Sequence, residues 1–327
     1  MIELSIILPF RNAESWILET IDSIRDQDFR DWELICIDDH SEDNTAGLIE
    51  HIAQSDTRIN VRLNGGTGII PALQTGFALA KGTFLSRMDA DDIMPANRLH
   101  KMVHTLASNP GKTVVTGKVE YFGEQPVSAG YRKYASWLNE RVDQEDHRKH
   151  RYRECVVASP NWMVRTADMK ADRILENLRY PEDYDMVFQW LNLNYSIVSI
   201  PTVTLLWREH PNRTSRNSDV YDQESFFTLK IDWFLRLFPN HSDLALLGSG
   251  RKGKLTARLL DNHGQGFQWF DLNAANYGAG ISGHSIRNHL ELSGDQVLIA
   301  VYPEPIEPLI HFLNSKGYTI GRNAWFL

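Results

Sequence analysis

Four short apolar segments near the N-terminus constrain the fold more than any other feature of this chain. Leu4–Leu8, Glu33–Ile37, Ile59–Leu63 and Thr83–Ser86 read as strands, the second and fourth of them buried, each bounded by polar or glycine-bearing turns. Between them, Trp16, Ile17, Thr20, Ile21 and Ile24 fall on one helical face. A second helix carries Leu48, Ile49 and Ile52, with Ser41 or Asp43 placed to cap it, and residues 69–80 form a third. A β-α-β-α-β-α-β order implies a largely parallel sheet covered by helices. Ligands of such sheets bind beyond the carboxyl ends of the strands. That rule brings Asn12, Asp38, Asp39, Asn64, Asp89 and Asp91 to one edge, which argues for a single site.

The fourth strand delivers Arg87-Met88-Asp89-Ala90-Asp91-Asp92. Carboxylates so crowded at the end of a buried strand repel one another and lose hydration, and a cation relieves both costs. An Asp-X-Asp pair offers hard oxygens suited to Mg²⁺ or Mn²⁺, so Asp89 and Asp91 are the candidate ligands. After the cluster, Leu99, Met102, Val103 and Leu106 mark a further helix.

Composition narrows the class. With 327 residues the chain is long enough for one large domain and one small one. A net charge of −8 argues against broad nucleic-acid binding. Two cysteines, Cys36 and Cys155, do not make a disulfide scaffold, and no apolar run approaches membrane-spanning length. The expectation is a cytoplasmic protein. Sequons at Asn212 and Asn240 carry little weight in that setting.

Three separated motifs also resemble a known family. Ser5-Ile6-Ile7-Leu8-Pro9-Phe10-Arg11-Asn12-Ala13-Glu14, the turn from Ile37 to Thr45, and Arg87–Asp92 look like glycosyltransferase family 2, the inverting GT-A group. The likeness covers roughly residues 1–215. It implies a nucleoside diphosphate sugar donor held on the first half of the domain and an acceptor on the second. It implies that Asp39 binds the base, that Pro9, Phe10 and Arg11 frame the nucleotide with Asn12, Asp38 and Asn64 nearby, and that Arg87 sits near the diphosphate or the sugar with Asp89. Asp91 would ligate a metal bridging the two phosphates. The expected cofactor is Mn²⁺ or Mg²⁺, and the default donor is a UDP-sugar. The expected acceptor is a glycan or lipid-linked glycan of bacterial polysaccharide or surface-glycan biosynthesis.

Further along, Thr113–Tyr121 reads as a strand, and residues 139–153 are dense in charge of both signs. Those charges read first as a solvated helix face; the alternative is an acceptor lip in which Arg148, Lys149, His150, Arg151 and Arg153 meet a phosphate. Ser159–Arg165 resembles the family's segment after the acceptor loop. Tyr180-Pro181-Glu182-Asp183-Tyr184-Asp185 leads into a helix whose dipole stabilises acids at its start. The family has a Glu-Asp pair here, and the resemblance implies that Asp183 is the general base beside Glu182, with Glu182 or Asp185 as substitutes. Ile197–Pro201 and Val203–Trp207 read as the domain's last two strands. The loop Arg208–Ser215 resembles the family's Arg-x-His loop, which makes His210 a candidate metal ligand or phosphate contact.

The rest has a different character. Residues 216–240 hold an apolar helix, expected as a linker between domains; shallow contact with the inner face of the membrane is the weaker reading, because basic residues are few here. Residues 241–327 suggest a small Rossmann-like module, with strands at 243–247, 267–270 and 297–301 and a helix at 254–260. Gly248-Ser249-Gly250-Arg251-Lys252-Gly253 has G-x-G-x-x-G spacing, and Asp271 follows 18 residues after its last glycine. So short a module does not fit a full dinucleotide site, and packing or anion binding at the turn explains it equally well. A nucleotidyltransferase is a rival for the whole chain, but the turn Phe10–Glu14 lacks the glycine-rich basic loop such enzymes use. A non-catalytic nucleotide-sugar-binding regulator on the same scaffold is the second rival. An oxidoreductase is the weakest reading.

Overall fold

A computed structural model describes residues 2–211, 213, 218–239 and 243–327. The sequons at Asn212 and Asn240 and part of the 208–215 loop lie outside the described residues. The chain divides into two compact units, one of Met1–His147 with Val156–Asn217, the other of Arg148–Cys155 with Ser218–Leu327.

In the first unit the strands are β1 (Leu4–Phe10), β2 (Trp32–Asp38), β3 (Ile59–Leu63), β4 (Phe84–Arg87), β5 (Thr113–Phe122), β6 (Met163–Arg165) and β7 (Ser196–Arg208). The helices are α1 (Ile17–Arg25), α2 (Thr45–Ala53), α3 (Ile69–Leu79), α4 (Arg98–Ser108), α5 (Ala129–Gln144), α6 (Thr166–Ala171) and α7 (Glu182–Asn192). One sheet runs β3-β2-β1-β4-β6-β5-β7. β1 to β4 are parallel, β6 is antiparallel to both its neighbours, and β7 is parallel to β5. The expected α/β architecture with a mostly parallel sheet is therefore present. β1 is buried along its whole length because helices cover both faces of the central strands.

The strand order reverses between β1 and β4. Chain leaving β1 turns toward β2, and chain leaving β4 turns the other way, so a crevice opens at their carboxyl ends. The Pro9–Asn12 turn and the Asp89–Asp92 cluster both lie there.

Three local expectations need correction. The two strands foreseen at 197–201 and 203–207 are one, β7, which runs through Pro201. β7 is an edge strand, where a residue without N–H breaks no ladder on its outer side, and the register shift falls opposite, around Lys118. At the start of α2 neither Ser41 nor Asp43 is the cap residue; Asn44 occupies that position, and Asp43 instead accepts from the Thr45 N–H at 3.0 Å. The helix foreseen at 254–260 starts three residues earlier, at Arg251.

In the second unit, β8 (Leu244–Leu247), β9 (Gln268–Asp271), β10 (Ile286–Asn288), β11 (Gln296–Ile299) and β12 (Ala324–Phe326) form a parallel sheet of order β10-β9-β8-β11-β12. The helices are α8 (Gln223–Leu237), α9 (Arg251–Asn262) and α10 (Glu307–Ser315). Leu247, Phe270, Ile299, Leu313 and Phe326 lie in its core. A Cβ on Gly253 would stand 2.0 Å from the Gly248 carbonyl oxygen, so glycine here lets α9 pack against the end of β8. Asp271 accepts from both the N–H and the hydroxyl of Ser249, at 2.7 and 2.6 Å. The glycine turn is thus held shut by its own acid.

In the basic stretch that belongs to this unit, two guanidinium groups lie over aromatic rings. The Arg151 guanidinium lies 4.4 Å over the Trp325 ring and that of Arg153 lies 5.5 Å over Tyr302. Among the described residues no helix is long and apolar enough to cross a membrane.

Candidate active site

The site is assembled from loops at the carboxyl edge of the first sheet. Phe10 ends β1 buried, and its carbonyl accepts from the Asp39 N–H at 2.9 Å, so the β1 and β2 loops leave the sheet together. Asn12 lies in the left-handed region at φ 51°. Its side-chain oxygen accepts from the Glu42 N–H at 2.8 Å, and its N–H donates to the Ser41 hydroxyl. Asp38 Oδ1 accepts from the Ser41 N–H at 2.8 Å. Asn12 and Asp38 therefore shape the wall, whereas Arg11 is exposed beside it.

Asp39 is buried and carries the floor of the β3–α3 loop. Its Oδ1 accepts from the Asn64 amide at 2.7 Å and from the Gly68 N–H at 2.8 Å. Gly68 sits at φ 94°, a conformation that costs glycine little and other residues more. This arrangement leaves Asp39 Oδ2 facing a single N–H, at 3.0 Å.

The acidic cluster follows β4. Arg87 is buried and two-sided: its Nε donates to Asp89 Oδ1 at 2.7 Å and its Nη1 to Glu182 Oε1 at 3.1 Å. One guanidinium thus ties the strand-end acids to the first turn of α7. Asp91 Oδ2 meets His210 Nε2 at 2.8 Å, and the His210 ring packs on Trp16 with centroids 4.0 Å apart. Asp92 points inward, where its Oδ1 accepts from the Arg208 N–H at 2.8 Å and its Oδ2 is buried with no hydrogen-bond partner. Burial, then the charge of Asp91, pushes the Asp92 carboxyl well above the usual carboxylate range. Asp89 is also raised, chiefly by burial, with the Arg87 charge opposing it.

These residues suit a hard divalent cation. Asp89 and Asp91 are each partly exposed carboxylates, and their crowding with Asp92 is of the kind a cation neutralises. Among the described residues no three metal-binding side chains converge into a closed cage. A bound ion would complete its shell with water and ligand oxygens.

Three acids open α7, and the structure separates them. Glu182 is buried on Arg87. Asp185 is buried and accepts from the Arg179 N–H and the Gln189 amide, both at 3.0 Å. Asp183 alone is partly exposed, and its Oδ1 accepts from the Tyr184 N–H at 2.7 Å. Burial and then the neighbouring Glu182 charge push its carboxyl up to about 7, against the pull of Arg87. A carboxylate with that affinity can take a proton from a hydroxyl near neutral pH.

The first sheet and its acidic strand end agree with the sequence of residues 5–171, which matches the family described as Glycosyl transferase family 2. The chain belongs to that family. A glycosyltransferase of Haemophilus influenzae, itself uncharacterized, is 29% identical over 233 residues, covering 69% of this chain and 70% of its own. An Escherichia coli relative, UDP-Glc:alpha-D-GlcNAc-diphosphoundecaprenol beta-1,3-glucosyltransferase WfgD, is 37% identical over 106 residues, 32% of this chain and 41% of its own. Among solved structures, the mannosyltransferase PcManGT from Pyrobaculum calidifontis, in complex with GDP-Man and Mn²⁺, superposes with a TM-score of 0.52 at 18% identity, over 79% of this chain and 69% of that one. The transferase thus has the GT-A fold, with the second parallel sheet as an added C-terminal module. It is a glycosyltransferase related to enzymes of bacterial glycan biosynthesis.

Some residues at the transferase site escaped sequence reasoning. Trp16 reads as one more apolar position of α1, yet it packs on His210. Arg208 holds the acidic cluster from below, its Nε donating to the Asp91 carbonyl at 2.6 Å. Its position as the first residue of the Arg-x-His loop was the available signal.

Proposed function

We propose that this transferase moves a sugar, with inversion, from a nucleoside diphosphate sugar to an acceptor hydroxyl of a glycan or lipid-linked glycan. The observation that carries the reading is the buried Arg87, which joins Asp89 of the acidic cluster to Glu182 beside Asp183. Donor-side charge and a proton acceptor are thereby fixed to one another. UDP is the default carrier, supported by the name of the E. coli relative.

Asp39, at the floor of the crevice, receives the base, and Pro9, Phe10 and Arg11 line the nucleotide with Asn12, Asp38 and Asn64 behind them. Asp91 holds a divalent ion with Asp89 alongside, and the Mn²⁺ in the mannosyltransferase complex supports that assignment. When bound, the ion supplies Lewis-acid neutralisation of the diphosphate leaving group. His210 orients Asp91 through their 2.8 Å bond, which places it behind the carboxylate as readily as on the ion. Asp183 takes the proton of the attacking hydroxyl as the new bond to the anomeric carbon forms and the diphosphate departs. Direct displacement inverts that carbon, so no covalent enzyme intermediate is needed. Arg87 fixes Glu182 beside Asp183, whose basicity is raised by burial and then by that neighbouring carboxylate.

A nucleotidyltransferase would need no proton acceptor across the crevice, so the Glu182–Asp183 pair favours sugar transfer over that rival. A thermal-shift panel of UDP-, GDP- and dTDP-sugars with Mn²⁺ tests the proposal. At least one donor is expected to raise the melting temperature, because a ligand that binds the native state stabilises it. If none does, the donor assignment fails.

A further inference from the structure

The start of α3 is held by two side chains that lie far apart in the sequence. Its N-cap is Gly68, and Ile69, Ile70 and Pro71 open the helix. The first turn of a helix leaves N–H groups without intrahelical partners. Here the Gly68 N–H donates to Asp39 at 2.8 Å, Pro71 has no N–H, and the Ala72 N–H closes the turn on the Gly68 carbonyl at 3.2 Å. The N–H groups of Ile69 and Ile70 both donate to the Tyr180 hydroxyl. A Cβ on Gly68 would stand 2.9 Å from that hydroxyl oxygen, so the missing side chain makes room for it. Asp39 and Tyr180 thus divide the start of α3 between them.

Tyr180 also faces the proton acceptor. Its hydroxyl accepts from α3 and keeps one proton to donate. Burial, then the charge of Glu182 and, more weakly, that of Asp39 raise the phenol above its ordinary value, so it stays protonated. Both carboxylates therefore lie within electrostatic reach of one hydroxyl. The onward connection is short. Pro181 separates Tyr180 from Glu182, with its φ at −65°, and a proline ring leaves that joint little freedom. Glu182 is tied to Arg87 at 3.1 Å, and Asp183 follows it. A second tie runs beside the first: the Gln74 amide, one turn further along α3, donates to the Leu175 carbonyl at 2.9 Å.

Capping α3 would need no more than an acceptor. What gives this contact a further consequence is the loop it closes. Asp39, which receives the base in the function proposed above, holds both the Asn64 amide and the Gly68 N–H. A base that donates to Asp39 draws on the same carboxylate and so loads the Gly68 N–H. The next two N–H groups of the chain are the ones on Tyr180.

We propose that Tyr180 is a positioning residue, which couples occupation of the base site at Asp39 to the placement of Asp183. The proposal rests on the donor reading above and deepens it: the base of the donor, and not its diphosphate alone, prepares the acceptor side for transfer.

Hydrogen–deuterium exchange on the full chain in Mn²⁺ tests this, with UDP, GDP and inorganic pyrophosphate as the probes. A nucleoside diphosphate is expected to slow exchange at residues 64–68 and, by about fivefold or more, at residues 180–185. Pyrophosphate carries no base and is expected to slow 180–185 much less. Tyr180→Phe keeps the ring and removes the hydroxyl. In that variant the nucleotide should still slow 64–68, while its effect on 180–185 is lost. Gln74→Met cuts the second tie and should keep the effect. A cap with a structural role only would speed exchange at Ile69 and Ile70 in Tyr180→Phe without making the response at 180–185 depend on a base. Equal slowing of 180–185 by pyrophosphate, persistence of the effect in Tyr180→Phe, or its loss in Gln74→Met overturns the coupling. No slowing of 64–68 by either nucleotide would instead count against the donor reading, which keeps the two failures apart.

Discussion

In the proposed function, Asp183 is the residue on which the chemistry turns. Its carboxyl is held near 7 by burial and by Glu182, while Glu182 and Asp185 are both committed to other partners. Asp183→Asn keeps the size and the helix-start position but cannot accept a proton. Turnover is expected to fall by about a hundredfold or more, with donor affinity by calorimetry unchanged. Loss of donor binding would move Asp183 into the phosphate shell. A linked effect appears in stability. The folded state holds the Asp183 proton up to about pH 7, whereas the unfolded chain releases it near the ordinary 3.8. The destabilisation is therefore absent below the lower value, grows between the two and is complete above pH 7. Thermal unfolding at pH 8 without metal should show Asp183→Asn melting higher than the wild type, and the difference should shrink steadily as the pH is lowered toward 4. A mutant that melts lower at pH 8 contradicts the repulsion between Glu182 and Asp183. Proton acceptance and stability oppose each other here; the Glu-Asp pair itself was legible in the sequence. What it did not expose was the guanidinium partner, since Arg87 and Glu182 lie 95 positions apart and only the fold joins them.

At the level of elements, the apolar pattern located β1 to β5 and helices α1 to α4, and it is cleanest in β1, β2 and β4, which are buried along nearly their whole length, whereas the edge strand β3 buries only Ile59. Shorter pieces carried no such signal. β10 has one apolar residue in three, Ile286-Arg287-Asn288, and β6 is three residues inserted against its neighbours' direction. Pro201 read as a stop because proline cannot serve a central strand, yet β7 is at the edge. The glycine turn after β8 was legible as a motif but not as a role. Its spacing is shared by phosphate-binding turns and by close packing, and only the structure shows Asp271 engaged by Ser249 and Gly253 against the Gly248 carbonyl. A packing role makes a specific contrast between two alanine substitutions. Gly253→Ala is expected to destabilise by about 1–3 kcal/mol in denaturant unfolding. Gly250→Ala is expected to be near neutral, since a Cβ there meets nothing within 4 Å and its φ is −70°. The reverse order would argue that the turn is kept for a ligand approaching Gly250.

Across the whole molecule, the reversal of strand order between β1 and β4 opens the crevice in which the proposal places a nucleotide wall, an acidic strand end and a proton acceptor. Family membership and fold stand independently of that assignment of roles, whereas the metal does not. The central claim is that Asp91 makes donor binding depend on a divalent ion. Calorimetry of UDP titrated into the full chain, in Mn²⁺ and again in EDTA, tests it most directly, with Asp91→Asn run beside the wild type. The account predicts clear binding by the wild type in Mn²⁺, loss of about tenfold or more in affinity in EDTA, and a similar loss for Asp91→Asn in Mn²⁺. Equal affinity in EDTA and Mn²⁺, with Asp91→Asn indistinguishable from the wild type, would contradict it.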